Sequence, residues 1–459
     1  MNKIRFLIAM LAAKVSILGL RLLGRNASYL PGMIALTIDK DFIGHLTKPE
    51  TVIAVTGTNG KTTVSNLITS ILTANGYRVT NNSIGSNVQA GVATILLQNS
   101  SFSGKPKNDI AVLEVDERSS LRIYPYMAPD YLVCNNIMRD SLKRNAHTEF
   151  ISFIINEALP ETTTLVLNGD DMICASLGPN NKNRVYFGME ADKPQSDVKA
   201  YVQDIVYCPK CCGKLESDYL RYNHIGRMHC SDCDFASPAP DFLVTNIDRE
   251  SNTFTVVHND IEETYHLIND NIVNVYNFCG AIALLHTFGL SYDQIAKGFD
   301  SSKIVKSRYD HFTAGDLTIT MQLAKGQNPI ACARCYSYVA SCPGNNKALI
   351  IMVDDKGDNT GNSESTCWLY DCDYSYLTDD SIAQIVFAGP RCKDHLLRAL
   401  IAGVPQDKVF MTESFIGGAE QIDTTLSKDI YVLYDPYSLS EANVVKNKLI
   451  AIGTEGMNK

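Results

Sequence analysis

The chain has 459 residues, enough for two or three domains. Hydrophobic residues make up 45% and charged residues 20%, the balance of a soluble globular protein, and a net charge of −9 excludes a general nucleic-acid coat. Of the 14 cysteines, four fall in one spaced cluster and the rest are scattered, which points to a reducing compartment with a metal site and away from a disulfide framework. At the N-terminus, Lys3 and Arg5 precede the apolar run Phe6–Ala13, but Lys14 and Arg21 interrupt the pattern long before the roughly 20 residues a membrane span needs. Ile4, Leu7, Leu11, Val15 and Leu18 share one helical stripe. The segment reads as a helix docked on the body, with a membrane-surface helix and a signal peptide as the alternatives.

The next stretch organises the chain. Val52-Ile53-Ala54-Val55 reads as a strand, and Val64, Leu67, Ile68, Ile71 and Leu72 repeat with helical spacing. Between them lies Thr56-Gly57-Thr58-Asn59-Gly60-Lys61-Thr62-Thr63. Glycines let backbone N–H groups approach a phosphate, and a helix N-terminus favours negative charge. A lysine in this place reaches the outer phosphates of a nucleotide, and the Thr62 hydroxyl can sit on Mg²⁺. Gly-Lys-Thr also occurs by chance in turns; the flanking strand and helix favour the phosphate site.

Apolar runs at Ile110–Val115, Tyr131–Cys134, Thr164–Leu167 and Val185–Phe187 alternate with polar or helical segments. That is the pattern of a mainly parallel sheet with helices on both faces. Two strands end in acid, at Glu114-Val115-Asp116-Glu117 and at Asn168-Gly169-Asp170-Asp171, which suggests a Mg²⁺ and nucleotide site rather than solvated caps. Cys208-x-x-Cys211 and Cys230-x-x-Cys233, eighteen residues apart, form two knuckles suited to a tetrahedral, closed and therefore structural Zn²⁺ site. Basic and acidic residues balance around them, so a nucleic-acid role is not expected. Residues 241–266 read as short strands, Phe278–Phe288 as a helix, and Ser301–Arg308 as the start of a linker. Beyond it, Ala348–Val353, Ile385–Ala388 and Ile430–Leu433 read as strands and Asp394–Ala402 as a helix, giving a second α/β domain. Cys332-x-x-Cys335 with Cys367 and Cys372 is a weak candidate for a second metal site.

The short loop T-G-T-N-G-K-T-T at 56–63, with L-E-V-D-E at 113–117, L-N-G-D-D at 167–171 and N-V-Y-N at 274–277, resembles the Mur ligase superfamily. A four-cysteine ribbon in the central domain, Leu30-Pro31-Gly32, Leu323-Ala324-Lys325 near Asn328-Pro329, and Trp368-Leu369-Tyr370-Asp371-Cys372-Asp373 are similar to its MurT branch, the ligase-like subunits of lipid II isoglutaminyl synthases. The resemblance implies an N-terminal helical segment at 1–48, a Mur ligase-like ATP-binding domain at 49–300 with the ribbon at about 205–236, and a Rossmann-like α/β domain at 305–459. It implies ATP-dependent activation of the D-glutamate α-carboxyl in the peptidoglycan stem peptide as an acyl phosphate, then attack by ammonia from a GatD-like glutaminase partner. Gly57, Thr58, Asn59, Gly60, Lys61, Thr62 and Thr63 would hold the phosphates, Thr62 and Glu114 Mg²⁺, Asn274 and Asn277 the base, and Cys208, Cys211, Cys230 and Cys233 zinc, with Lys61 and Glu114 serving catalysis. An Asp after the 348–353 strand would complete the partner's Cys-His-Asp triad; Asp355 and Asp354 come before Asp358, and an acidic turn in solvent is the alternative. The expected setting is cytoplasmic, with peripheral contact at the inner membrane face compatible with it.

The chain also departs from the family pattern. Arg139-Asp140-Ser141 carries Ser where relatives carry His, which puts a second metal there in doubt, and His147 is not given the role. Met352-Val353-Asp354-Asp355-Lys356-Gly357-Asp358-Asn359 differs from the usual C-terminal motif. No G-x-C-x-G elbow occurs, so nitrogen would come from another subunit or from free ammonia. The competing functions are a self-sufficient Mur-type amino-acid ligase of the folylpolyglutamate kind and a non-catalytic nucleotide-binding scaffold.

Overall fold

The computed structural model describes residues 3–83, 86–140, 145, 147–191, 202–268, 271–301, 309–324, 326–353 and 366–456. Its contacts divide the chain into two compact units, residues 1–138 with 147–304 and residues 139–146 with 305–459.

In the first unit, β1 (Thr51–Thr56), β2 (Val79–Asn81), β3 (Ile110–Glu114), β4 (Tyr131–Cys134), β5 (Thr164–Asn168) and β6 (Arg184–Met189) are parallel. A separate antiparallel ribbon, β7 (Leu215–Tyr222) and β8 (Ile225–Cys230), precedes β9 (Phe242–Asp248), which returns parallel to β6. β10 (Thr253–His258) and β11 (Ile261–His266) extend the edge antiparallel, giving the nine-stranded order β11-β10-β9-β6-β5-β4-β1-β3-β2. Central strands bury residues of both faces, as a covered parallel sheet requires. The helices Lys61–Ala74 and Ile272–Phe288 pack together on strands β3 to β6. The second of these begins six residues before the expected Phe278, where the Asn271 side chain accepts from the Val273 N–H at 3.1 Å and caps it.

The N-terminal helix Lys3–Leu22 docks on this unit, but not by the stripe that the periodicity singled out. Phe6, Ala9, Met10, Ala13 and Ile17 face inward and join the core of the helices Leu30–Ile38 and Gln89–Gln98. Each large side chain among them contributes about 1.5–3 kcal/mol when fully buried. Ile4, Leu7, Leu11, Val15 and Leu18 point outward. The correction is physical: this helix is apolar on two faces, and the smaller residues make the closer contact. In the helix Leu30–Ile38, a side chain at Gly32 would run into the Ala90 carbonyl at 1.9 Å, so the Leu-Pro-Gly stretch marks a helix–helix crossing.

The second unit holds β12 (Tyr309–Ala314), β13 (Leu317–Leu323), β14 (Lys347–Met352), β15 (Ile382–Ala388), β16 (Val409–Thr412) and β17 (Asp429–Tyr434), in the order β12-β13-β17-β14-β15-β16. Only β12 runs antiparallel. The expected strands and the helix Cys392–Ile401 are present; β12, β13, β16 and the helices Pro329–Ser341 and Leu439–Gly456 were not anticipated. Cys332, Cys335 and Cys372 are buried among the apolar residues of this unit, and among the described residues they form no metal-binding group.

The β7–β8 ribbon is locked to the first unit by a buried ion cluster. His224, fully buried, lies 3.2 Å from Asp171 and 3.4 Å from Asp204, and the Gly226 N–H donates to the Asp170 carbonyl at 2.8 Å. Burial alone would lower the pKa of His224, but the two carboxylates outweigh it and raise the imidazole from 6.5 to about 9. A folded pKa above the unfolded one stabilises the fold fully below about 6.5 and loses that contribution as pH rises through about 9. Urea unfolding at these two pH values should show the wild type losing up to about 3 kcal/mol more than His224→Gln. Equal losses in both proteins would mean that the imidazole is not charged in the folded state.

Candidate active site

β1 delivers the chain into Gly57–Gly60, and the helix Lys61–Ala74 starts directly after. Gly57 and Gly60 have φ of +113° and +91°, and a Cβ at Gly60 would lie 2.1 Å from Asn277 Oδ1. Both positions therefore require glycine. The loop is held from below by the segment leaving β4. The Thr58 N–H donates to the Asn136 carbonyl at 2.8 Å, the Asn59 N–H to Asn136 Oδ1 at 2.9 Å, and the Met138 N–H to Thr58 Oγ1 at 2.8 Å. The Thr58 hydroxyl also donates to the Met138 carbonyl at 2.9 Å, so this side chain shapes the loop from within.

At the helix N-terminus three expected residues converge. Thr62 Oγ1 donates to Glu114 Oε2 at 2.8 Å, so the hydroxyl and carboxylate share one point. Asn87 Nδ2 donates to the other Glu114 oxygen at 3.0 Å, and the Asn82 side chain clamps the Glu114 backbone on both sides at 2.8 Å. Lys61 Nζ lies over the carbonyls of Gly57 and Thr58 and pairs with Glu117 Oε1 at 2.9 Å. Burial works against its charge, but Glu117, helped by Glu114 and Asp116, holds the ammonium above its ordinary range. The lysine is thus a cation at a helix N-terminus, an arrangement that favours an anion. Glu117, the last residue of the acidic strand end at 114–117, pairs with the lysine; Asn82 and Asn87 carry no sequence signal. Thr63 is half-buried on the first helical turn.

Asn277 is buried beneath Gly60, with its Oδ1 accepting from Asn135 Nδ2 and its Nδ2 donating to Asn274 Oδ1 at 3.2 Å. Asn277 props the loop, and Asn274, half-buried, continues the row. The second acidic strand end differs from the expectation of a nucleotide site. Asp170 and Asp171 are fully buried. Asp170 accepts from Tyr276 OH at 2.7 Å and the Met189 N–H at 2.8 Å. Asp171 accepts from the N–H groups of Ile137, Ile173 and Cys174 at 2.7, 3.0 and 3.0 Å. These carboxylates are structural anchors, and burial raises the Asp170 pKa despite those bonds.

The four ribbon cysteines do converge. Their sulfurs all lie within 4.8 Å of one another, with Cys208–Cys233 at 3.6 Å and Cys211–Cys230 at 3.4 Å. Bonds of ~2.3 Å to a tetrahedral metal give sulfur separations of ~3.8 Å, so the set fits with little movement. The N–H groups of Lys210, Gly213 and Asp232 donate to three of these sulfurs at 3.3–3.4 Å, an arrangement that favours thiolates. None of the 14 cysteines forms a disulfide. Asp354, Asp355, Asp358, Ser141 and Lys325 lie outside the described residues, while His147 is exposed at the start of the helix Thr148–Ala158. Among the described residues no helix is long and apolar enough to cross a membrane.

Residues 55–216 match the Mur ligase middle domain and residues 325–438 the MurT ligase C-terminal domain. The MurT subunit of the lipid II isoglutaminyl synthase (glutamine-hydrolyzing) of Streptococcus pneumoniae strain R6 is 30% identical over 429 residues, 93% of each chain. The corresponding subunit of Staphylococcus aureus strain COL is 29% identical over 418 residues, 91% of each chain. Among solved structures, a pseudomurein peptide ligase type C from Methanothermus fervidus superposes with a TM-score of 0.67 at 20% identity, covering 89% of this chain and 81% of its own. MurF from Acinetobacter baumannii gives 0.61 at 15% identity, covering 91% and 80%, a likeness of fold alone. A relative 30% identical over nearly the whole of both chains settles the kinship: the chain belongs to the MurT family of Mur ligases.

Proposed function

We propose that this chain is the synthase subunit of a lipid II isoglutaminyl synthase, an ATP-dependent ligase that converts the D-glutamate α-carboxyl of the peptidoglycan stem peptide to D-isoglutamine. The observation that carries the reading is the convergence of Lys61, Thr62 and Glu114 at the N-terminus of the helix Lys61–Ala74. The carboxylate oxygen attacks the γ-phosphorus of ATP, and ADP leaves. Ammonia then attacks the acyl carbon, a proton is lost and phosphate departs, leaving the amide. Lys61 and the loop N–H groups neutralise charge spreading over the phosphoryl oxygens. Thr62 and Glu114 would hold Mg²⁺, which supplies further charge neutralisation there. Asn82 and Asn87 keep the Glu114 carboxylate aimed at Thr62. Asn274 and Asn277 are assigned to the base side of the nucleotide, and Asn277 also supports Gly60.

The four-cysteine set would hold zinc in a closed, structural role. Ammonia is assigned to a GatD-like glutaminase partner, since this chain has no nucleophilic elbow of its own. β14 is a central strand of this sheet, flanked by the parallel strands β17 and β15. Ligand sites of open α/β sheets lie beyond the carboxyl ends of such strands, which supports keeping Asp354, Asp355 and Asp358, just beyond β14, as candidates for the partner's triad.

Lys61→Ala should lower ATP-dependent amidation by roughly a thousandfold or more. It also strips Glu117 of its cation, so Lys61→Ala with Glu117→Gln serves as the fold control; near wild-type rates in either variant would refute the phosphate role. Elemental analysis of protein purified under reducing conditions should find one zinc per chain, and Cys208→Ser should lower both occupancy and melting temperature. Zinc-free protein with an unchanged melt would remove the assignment. For the acidic cluster, Asp355→Asn or Asp354→Asn should suppress glutamine-dependent amidation and spare activity with free ammonia. Equal loss with both nitrogen sources for all three Asp→Asn variants would place the cluster in the ligase site or the fold.

A further inference from the structure

The outward face of the helix Lys3–Leu22 is unaccounted for by the fold. Ile4, Leu7, Leu11, Val15, Leu18 and Leu22 are between 51 and 80% exposed. At 3.6 residues per turn they form one continuous stripe, opposite the buried face of Phe6, Ala9, Met10, Ala13 and Ile17. A helix apolar on both faces is normally buried on both. Solvated leucines scattered singly need no explanation, but six in register along some 30 Å of helix do.

Charge identifies what would cover the stripe. Before Asp39 the chain has no carboxylate side chain, while Lys3, Arg5, Lys14, Arg21 and Arg25 give this segment five positive charges within a chain of net charge −9. Lys3, Lys14 and Arg21 are spaced by eleven and eighteen residues from the first, close to three and five whole turns, so they line one flank of the stripe. Lys14 is held there by a 2.7 Å bond to the Ser100 carbonyl. A cavity of about 250 Å³ opens on that flank, lined by Lys14, Ile17, Leu18, Arg21 and Gln98, with two cations over an apolar floor. A protein partner would need matching acidic groups beside an apolar groove. An anionic phospholipid surface supplies phosphates and acyl chains in that order of depth, and the helix, interrupted by charges and not apolar enough to cross, suits lying in the interface.

We infer that the helix Lys3–Leu22 is a membrane-docking element, seating its outward stripe among the lipids of an anionic bilayer while its inner face stays bound to the ATP-binding unit. The inference rests on the proposed function only for its purpose, since a lipid-linked substrate would be met at that surface.

The full-length protein, with its glutaminase partner present, is tested by co-sedimentation with phosphatidylcholine vesicles containing a minor fraction of phosphatidylglycerol. Binding should be measurable, fall with added salt, and drop strongly on pure phosphatidylcholine. Leu7→Gln with Leu11→Gln should reduce it by roughly tenfold or more, and Lys3→Glu with Arg21→Glu should remove the preference for the anionic lipid. All four positions are solvent-exposed, so thermal melts should not change. Amidation of a lipid-free muropeptide should also be unchanged in both variants. No vesicle binding, or equal binding by the leucine variant, would overturn the inference. So would a leucine variant that turns a dimer into a monomer or releases the partner without altering vesicle binding, because the stripe would then be a protein interface. Vesicle binding by a protein inactive on the muropeptide would leave the docking element standing and the proposed function refuted.

Discussion

Much of the first unit hangs on one buried carboxylate, that of Asp171. One oxygen accepts from the Ile137 N–H, fixing the segment that leaves β4. The other accepts from Ile173 and Cys174, capping the short helix after β5, and faces His224 of the ribbon. The β4 exit carries Asn136 and Met138, which hold the loop Gly57–Gly60 from beneath. One carboxylate therefore ties together the ribbon, the β5 exit and the loop. Burying it is costly, and removing a partner from such a cluster leaves an uncompensated charge worth roughly 3–5 kcal/mol. The ribbon is thereby coupled mechanically to the loop Gly57–Gly60.

The loop itself is held rigidly by its neighbours. Gly60 lies against Asn277, so neither can move without the other, and Asn135 fixes Asn277 in turn. Lys61 is kept charged by Glu117, and Glu114 is aimed at Thr62 by two asparagines. Glu117 gives the lysine a partner, and together with Glu114 and Asp116 it leaves the cluster net negative. Donors already in position need little rearrangement when charge develops on a phosphoryl group, and that is the main source of electrostatic catalysis.

What could be read in advance follows from how local the signal is. The loop at 56–63 and the two C-x-x-C pairs announce themselves because their chemistry needs particular residue types a few positions apart. The parallel sheet was visible because strands buried on both faces read as unbroken apolar runs. Asp170 and Asp171 deceived because an acidic strand end looks the same whether it meets a metal or a histidine 53 residues away. The N-terminal helix deceived because periodicity finds the larger apolar residues, whereas Ala9, Ala13 and their neighbours allow the closer packing. Asn82 and Asn87 reach Glu114 across long sequence separations that no local pattern encodes, and the motifs that contain Glu117 and Asn277 do not reveal their contacts with Lys61 and Gly60.

The position of the ribbon has its own logic. β6 and β9 are adjacent and parallel, so the chain between them must cross over and return. A helix usually fills that crossover and brings an apolar stripe to lay on the sheet. Here the described part of the crossover is built around the hairpin β7–β8, whose small apolar cluster gathers Leu215, Leu220, Met228, Cys208 and Cys230 against Met172, with Ile205, Cys233 and Phe235 partly buried around it. A core that small cannot hold a hairpin by itself. Two staples compensate. Four thiolates gathered on one centre would close the tip, and the charged His224 between Asp171 and Asp204 fastens the base. The two respond oppositely to alkali, since higher pH favours thiolates for a metal and discharges the imidazole. The crossover is therefore firmest where both conditions overlap, between the loss of thiolate ligation in acid and the pKa of His224 at about 9.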